Sequence, residues 1–246
     1  MLITSLRGIS GRLASVAASA TALWQRVPSQ CALCRRWPAE RICADCTAHF
    51  FSNTHRCPTC AIPVPEGVSH CGECLRHPPM LDACIAAVDY AYPWSTLITQ
   101  FKFQHDPGWA APLAELLLRA PNAAALVRHA ELILPIPLSR QRLAERGFNQ
   151  ALLLARHLNA SGKLRPDLLL RTRHTEAQSS LRREQRLRNL DSAFEIHPRK
   201  RSTLHNRRVL LIDDVMTTGA TLHCTAQRVR AAGAREVSAL VLARTT

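Results

Sequence analysis

The sequence is poor in lysine, in aromatic residues and in long apolar runs. Only three of its 32 basic residues are lysine, and aromatic residues make up 5% of the 246 residues. No stretch reaches the roughly 18 uncharged apolar residues that a membrane-spanning helix needs. The apolar run behind Arg7 and Arg12 is weak and rich in Ala and Ser, which disfavours an export signal. We therefore expect a protein without a membrane span, located in the cytoplasm.

Acidic residues are also scarce, since 18 of them stand against 32 basic residues and leave a formal charge of +14. Guanidinium groups bind phosphate oxygens through two parallel hydrogen bonds, which a lysine does not do. We expect phosphorylated metabolites, nucleic acid, or both as partners. Charge alone does not decide between these, because many arginines merely solubilise helices.

Cysteine is nearly absent from most of the chain. Eight of the ten cysteines lie between Cys31 and Cys74, and only Cys84 and Cys224 follow. This shift places a domain boundary in the segment that ends at Met80. We predict a lead-in over residues 1–30, a cysteine module over 31–80 and a second domain over 81–246.

The cysteine module consists of four C-x2-C pairs, and two such pairs complete a closed tetrahedral zinc site without a position for water. The short gaps favour sequential pairing into two structural zinc ions, although crossed pairing stays open. With eight thiolates and two zinc ions the formal charge falls from +14 to +10. Disulfides are disfavoured beside an α/β domain of intracellular character. The predicted ligands are Cys31, Cys34, Cys43 and Cys46 for one ion and Cys57, Cys60, Cys71 and Cys74 for the other.

Other residues near the pairs have simpler interpretations. Four histidines could in principle replace a cysteine ligand, but eight matched thiolates make them surface residues. Cys84 and Cys224 have no partner in the pattern and are expected to be small buried apolar residues. The histidines are His49, His55, His70 and His77.

After the boundary, strand and helix patterns alternate, which predicts a mostly parallel sheet flanked by helices. We predict strands that begin near residue 85 and cover 132–137, 167–171, 193–196, 209–213 and 237–243. We predict helices over 95–103, 110–118, 149–159 and 220–232. The charged stretch 171–188 is longer than an ordinary connection and is expected to be a functional loop.

The segment VLLIDDVMTTGATL, residues 209–222, is the most informative in the chain. An apolar strand ends at two adjacent acids, and small hydroxyl residues, a glycine and a helix follow. Backbone amides of such a turn, with the positive end of the helix behind them, suit a ribose 5-phosphate. Gly219 allows the backbone to approach the ligand, and Asp213 and Asp214 can accept hydrogen bonds from ribose hydroxyls. The segment lacks the lysine of a Walker A loop and the spacing of G-x-G-x-x-G, so nucleotide hydrolysis and dinucleotide binding have little support.

This run resembles the phosphoribosyl-pyrophosphate (PRPP) signature of type I phosphoribosyltransferases. Two further blocks, LPIPLSRQRLAERGFNQALLLAR at 134–156 and RTRHTEAQSSLRREQRLRNLDSAF at 171–194, resemble the ComF/GntX family. In that family a double zinc ribbon precedes a phosphoribosyltransferase domain. The resemblance covers about residues 31–243.

The resemblance implies a type I phosphoribosyltransferase fold and assigns residue roles by position. Asp213, Asp214, Arg140 and Arg146 match catalytic positions, with Arg142 in the same block near the pyrophosphate. The segment 172–189 matches the flexible catalytic loop, and 92–106 matches the segment expected to contact an acceptor. In that segment Trp94 and Phe101 have core positions as the alternative, and His105 a surface position. The implied PRPP-binding residues are Asp213, Asp214, Val215, Met216, Thr217, Thr218, Gly219, Ala220 and Thr221.

The resemblance also implies a role in DNA uptake, natural transformation or the use of incoming DNA. We expect Mg²⁺ with PRPP if the protein is a transferase, and single-stranded DNA and other DNA-uptake proteins as partners. The alternative is a nucleic-acid-binding or PRPP-sensing factor without transferase turnover. No residue set identifies the acceptor of the ribosyl group.

Overall fold

The computed structural model describes residues 29–158, 162–172 and 193–246. These residues fall into two compact units that divide between His49 and Phe50. The second cysteine cluster therefore shares a unit with the sheet described below. The boundary predicted near Met80 stays a prediction.

The first unit is a small ribbon followed by a short helix. Ser29 and Ala39 form an antiparallel bridge in which the two backbone amides donate to the opposite carbonyls at 3.0 and 2.8 Å. Helix α1, Ala44–Phe50, begins directly after Cys43 and buries Cys46 and Thr47. Little apolar surface is available here, so a bound metal has to supply much of the folding free energy.

The second unit is built on a four-stranded parallel sheet in the order β1-β6-β5-β2. A separate antiparallel pair is formed by β3 and β4. The main strands are near-continuous apolar runs, as expected for parallel strands that are covered on both faces. The strands are β1 Ala83–Asp89, β2 Leu132–Pro135, β3 Leu169–Arg171, β4 Phe194–Ile196, β5 Arg208–Met216 and β6 Glu236–Arg244.

Besides α1, the described part of the chain contains seven α-helices, and all of them belong to the second unit. Polar caps begin two of them, since Ser139 accepts the Arg142 amide at 3.3 Å and Asn149 accepts the Leu152 amide at 3.2 Å. The helices are α2 Gly72–Arg76, α3 Trp94–Phe103, α4 Ala110–Leu118, α5 Ala123–His129, α6 Arg140–Arg146, α7 Gln150–Arg156 and α8 Ala220–Ala231. Two 3-10 helices cover Pro107–Trp109 and Pro198–Leu204.

Alternate residues of β5 are buried in two different layers. Val209 and Leu211 belong to a core that includes α8 and Phe194. Leu210 and Ile212 are fully buried but lie outside this core, and helix α7 packs against β5 and β2. Because side chains alternate along a strand, Asp213 and Asp214 at the carboxyl end point toward different layers.

The predicted elements agree with the structure in kind and place. The helices over 95–103 and 110–118 are confirmed as α3 and α4, and β5 and β6 are each longer than predicted. Helix α6 was not predicted, because its sequence RQRLAER is almost entirely polar and buries no residue. Of the predicted functional loop, residues 173–188 lie outside the described part of the chain. Among the described helices, none has the length and apolar character required to cross a bilayer.

Candidate ligand site and metal centres

The eight paired cysteines form two clusters of four. The clusters are Cys31 with Cys34, Cys43 and Cys46, and Cys57 with Cys60, Cys71 and Cys74, and within each the four sulfur atoms lie within 4.8 Å of one another. All ten cysteines of the chain are free thiols. The grouping is the sequential one.

The sulfur geometry fits tetrahedral zinc. A Zn–S bond of about 2.3 Å sets the sulfurs of a tetrahedral site about 3.8 Å apart. The Sγ atoms of Cys31 and Cys46 are 3.8 Å apart, and those of Cys34 and Cys43 are 3.6 Å apart. The sulfurs of Cys60 and Cys71 in the second cluster are also 3.6 Å apart. Four thiolates per site would hold a structural ion without leaving a position for water.

The same backbone turn builds the first half of each cluster. Arg35 and Ala61 follow the first cysteine pair of their cluster with φ of 64° and 56°. Their amides donate to the carbonyls of Cys31 at 3.0 Å and Cys57 at 2.8 Å. The turn folds both sulfurs of a pair toward one point, as a metal knuckle requires.

Backbone amides also favour the thiolate form at one position of each cluster. Burial by itself would raise the pKa of Cys31, but hydrogen bonds from the backbone of Cys43, Cys34 and Leu33 lower it to about 6. At Cys57, burial again acts against ionisation, and hydrogen bonds from Thr59 and neighbouring amides lower the pKa to about 6. Thiolates are the form that binds metal. Cys84 and Cys224, by contrast, are buried apolar residues, as predicted.

The second chemical site lies at the carboxyl end of β5. Asp214 is 8% exposed, and its carboxylate is 3.2 Å from Lys102 Nζ and 3.7 Å from Arg146 Nη1. Lys102 comes from α3 and Arg146 from the end of α6. The structure thus brings two cations and an acid together from three separate segments.

Asp213 differs from its neighbour in its electrostatic environment. Burial and the charge of Asp214 raise the pKa of Asp213 to about 7, while the Asp214 amide, Lys102 and Arg146 act in the opposite direction. The Asp214 amide donates to Asp213 Oδ1 at 2.9 Å. Arg171 of β3 is within electrostatic range of Asp213. The two acids therefore face cations on both sides of the sheet edge.

The loop after β5 is open to solvent. Thr217 is exposed, and Thr218, Gly219 and Thr221 are partly exposed. Gly219 has φ of 77° and precedes the first residue of α8, a conformation that favours glycine. A Cβ at this position would clash with Met216 Cε. The amino end of α8 can therefore receive an anion.

Arg244, at the end of β6, ties this loop to the second cysteine cluster. Its side chain is buried, with the residue 7% exposed. Its Nε donates to the Cys60 carbonyl at 3.0 Å, and its Nη1 donates to the carbonyls of Met216 at 3.3 Å and of Thr217. One guanidinium therefore holds a turn of the second cysteine cluster and the start of the loop after β5 in a single arrangement.

A cavity of about 860 Å³ lies between the second cysteine cluster and the same loop. Its lining includes Thr59 and His77 on the cluster side and Thr218, Gly219 and His223 on the loop side. The loop is thus reached by solvent from this direction.

The other residues of the predicted site are either accessible to a ligand or buried in the core. Arg140 is exposed and Arg142 partly buried on α6, and only Arg146 of that helix contacts Asp214. Trp94 and Phe101 are core residues, and exposed His105 bonds the Arg146 carbonyl at 3.2 Å. Phe103 is 61% exposed, and the Arg146 guanidinium lies 5.5 Å from its ring centre.

Two residues were not expected from the sequence to contact Asp214 or the loop after β5. Lys102 lies in the segment expected to contact an acceptor, but its ion pair with Asp214 spans 112 positions of the chain. Arg244 lies at the end of an apolar strand, and a charged residue that ends a buried strand was the only signal available.

Comparison with known proteins places these two sites in a family context. Residues 143–245 match the model of the phosphoribosyl transferase domain, and residues 26–75 match that of the double zinc ribbon domain. The chain is 35% identical to the DNA utilization protein YhgH of Escherichia coli over 230 residues, which cover 89% of this chain and 98% of that protein.

Two further relatives carry competence names. Competence protein F of Haemophilus influenzae is 34% identical, with 82% of this chain and 90% of that protein covered. The chain belongs to the ComF/GntX family. Competence protein ComFC of Bacillus subtilis is 31% identical, with 84% of this chain and 85% of that protein covered. The chain thus combines a double zinc ribbon, which contains the paired cysteines, with a phosphoribosyl transferase domain, which contains Asp213 and Asp214.

Proposed function

We propose that this ComF/GntX protein binds Mg-PRPP at the carboxyl end of β5 and acts as a phosphoribosyltransferase in the use of incoming DNA. The observation that carries the proposal is the solvent-open loop from Thr217 to Thr221, which begins three residues after Asp214, the carboxylate paired with Lys102 and Arg146. Backbone amides that can donate to an anion, carboxylates that can accept from hydroxyl groups, and cations thus lie close together at the carboxyl end of β5.

Each group has a separate task in this proposal. The amides of the loop and the amino end of α8 bind the 5-phosphate. Asp213 and Asp214 accept hydrogen bonds from the ribose hydroxyls. Arg146 and Arg140 lie on one short helix and stabilise the pyrophosphate, with Arg142 beside them. Mg²⁺, when bound with PRPP, neutralises phosphate charge and supports departure of pyrophosphate.

Catalysis in this site rests on positioning and electrostatic stabilisation rather than on a dedicated base. The bond from ribose C1 to the pyrophosphate oxygen breaks, and a bond from C1 to the acceptor nucleophile forms. Phe103 is exposed beside Arg146, so a flat ring of the acceptor can stack there. Zinc in the two four-cysteine clusters has a structural task in this scheme.

Calorimetric titration with Mg-PRPP tests the proposal. At pH 8.5, above the pKa of about 7 of Asp213, the double variant Asp213→Asn with Asp214→Asn removes two negative charges, so simple electrostatics would tighten the binding of an anion. We expect the opposite, a loss of binding of at least about tenfold, because about 1.4 kcal/mol is tenfold and each lost hydroxyl contact to a charged group contributes about 1.5–3 kcal/mol.

A matched control removes the same two negative charges at positions outside the site. Glu115 and Glu195 are exposed acids away from the site, and Glu115→Gln with Glu195→Gln should bind Mg-PRPP as wild type does. Equal or tighter binding by the aspartate variant would remove the PRPP assignment. A pyrophosphate-release screen of candidate acceptors, with and without single-stranded DNA, then tests turnover.

A second activity, binding of nucleic acid, is supported by the excess of basic residues, which gives the chain a formal charge of +14. It is compatible with the first, because the ligand site occupies only one edge of the sheet. Titration of wild type with labelled single-stranded DNA at several salt concentrations tests it, and affinity should fall steeply as salt rises. A flat salt response would contradict electrostatic binding.

A further inference from the structure

The edge of the sheet opposite the ligand site carries a separate group of basic residues. The segment 197–208, HPRKRSTLHNRR, contains five Arg or Lys residues and no acid. It forms the 3-10 helix Pro198–Leu204 and leads into the amino end of β5. The segment follows β4 and has no part in the site at Asp213 and Asp214.

The fold brings a second basic segment to the same edge. The Asn206 amide donates to the Gly233 carbonyl at 2.8 Å, and the Arg235 amide donates to the Arg207 carbonyl at 2.9 Å. Arg230, in the last turn of α8, donates to the Arg235 carbonyl at 2.7 Å. We define the basic rim as Arg199, Lys200, Arg201, Arg207, Arg230 and Arg235.

Half of the basic rim is neutralised by carboxylates. Lys200 pairs with Asp167, Arg207 pairs with Glu131 at 2.8 Å, and Arg230 pairs with Asp82. The adjacent Arg208 shares Glu131 with Arg207, at 3.7 Å, and the one positive charge that it adds is offset by the charge of Glu236, its register partner in the sheet. Three of the six cations remain, so the rim keeps a net charge of three positive units.

The remaining cations are Arg199, Arg201 and Arg235, and all three are exposed. Arg201 donates to the Ala231 carbonyl at the end of α8, which a helix dipole explains. The side chains of Arg199 and Arg235 have no hydrogen bond or ion pair with any residue in the described ranges. A role within the fold therefore does not account for them.

We propose that the basic rim binds the phosphate backbone of nucleic acid. Arginine is suited to phosphate because its guanidinium forms paired hydrogen bonds. A membrane-surface site would combine cations with exposed apolar side chains. The exposed large apolar residues of the described chain are Trp37, Val68, Leu75, Met80, Tyr92, Phe103 and Leu143, and none belongs to the segments of the rim.

The segments of the rim also contain no Phe, Tyr or Trp on which bases could stack. Contact is therefore limited to phosphate and sugar, which carry no sequence information. From Arg208 to Asp214 the strand β5 rises six residues, or about 20 Å at about 3.3 Å per residue. Nucleic acid on the rim and a ribose phosphate at Asp213 can be bound together. The inference rests on the nucleic-acid part of the proposed function and is independent of the PRPP part.

Fluorescence anisotropy with labelled 30-mers of dT, of dA and of a duplex tests the rim. The rim variant carries Arg199→Ser, Arg201→Ser and Arg235→Ser. Each single-strand phosphate contact contributes about 0.7 to the slope of log K against log salt, so removal of three should lower that slope by about 2. We expect the same loss on dT and dA, and a loss on the duplex as well.

The matched control removes the same charge from the first cysteine module through Arg35→Asn, Arg36→Ser and Arg41→Ser. If this control variant binds the 30-mers as wild type does and the rim variant binds them more weakly, the inference is supported. It is also supported if both variants bind more weakly than wild type. Wild-type affinity and slope in the rim variant overturn the inference while leaving nucleic-acid binding intact. Absence of binding by wild type overturns both. Far-UV circular dichroism and unchanged Mg-PRPP titration heats verify that the rim variant is folded.

A second arm separates nucleic acid from membrane. Vesicles of phosphatidylserine and phosphatidylcholine are titrated with wild type and with the rim variant. Rim-dependent vesicle binding without rim-dependent binding of the 30-mers would overturn the inference in favour of a lipid surface.

Discussion

Removal of the Arg244 side chain should weaken both the fold and the ligand site. In Arg244→Gln the carbonyls of Cys60, Met216 and Thr217 lose a charged donor. The Met216 carbonyl keeps the Thr245 amide at 3.1 Å. Within the described chain, the Cys60 and Thr217 carbonyls have no other donor.

The expected cost follows from these two carbonyls. An unsatisfied buried polar group costs about 1–3 kcal/mol, so two fully buried ones would cost about 2–6 kcal/mol, which is an upper bound here because Cys60 is partly exposed and Thr217 is exposed. The cavity beside the loop admits water to this region, which favours the lower half of that range, about 2–4 kcal/mol. The loop would also lose its attachment to the second cysteine cluster, and Mg-PRPP affinity should fall about tenfold or more.

Urea unfolding with zinc present measures the stability, and calorimetry measures the affinity. Arg119→Gln is the matched control, because Arg119 is exposed and its side chain has no partner in the described chain. Its unfolding free energy should change by less than about 0.5 kcal/mol. An Arg244→Gln protein with wild-type stability and affinity would refute the bridging role.

Three further predictions concern the acids, the metal sites and the loop. Asp213 has its pKa raised to about 7, so the folded state holds a proton that the unfolded state releases near pH 4. Wild type therefore loses stability relative to Asp213→Asn as pH rises from about 4 to about 8, by about 1–3 kcal/mol, with no further change above. Urea unfolding at pH 5 and 8.5 checks this, and a pH-independent difference would contradict it. Metal analysis should find about two zinc ions per chain, and Cys31→Ser or Cys57→Ser should each lower the content by about one; one ion in wild type would refute two closed sites. Gly219→Ala should cost about 1 kcal/mol from its left-handed backbone and weaken Mg-PRPP binding through the contact with Met216; unchanged calorimetric affinity would show that the loop tolerates a side chain.

The sequence alone was sufficient for the features that depend on local pattern. Spacing within each C-x2-C pair places two thiolates on one knuckle, whatever the rest of the chain does. The apolar run before Asp213, and Gly219 before the helical stretch, likewise specify strand, turn and helix through local sterics. These patterns predicted the parallel sheet and the place of the candidate site at a strand end.

Only the tertiary structure decided which side chains meet there. Lys102 and Asp214 are 112 residues apart, and Arg244 reaches a carbonyl 184 residues earlier. Such contacts depend on the strand order β1-β6-β5-β2 and on which layer each helix covers. The basic rim has the same origin, since β5 and β6 are neighbours and bring residues 199–207 beside Arg230 and Arg235. The local sequence pattern carries no information about these long-range contacts, because the packing of the whole sheet determines them.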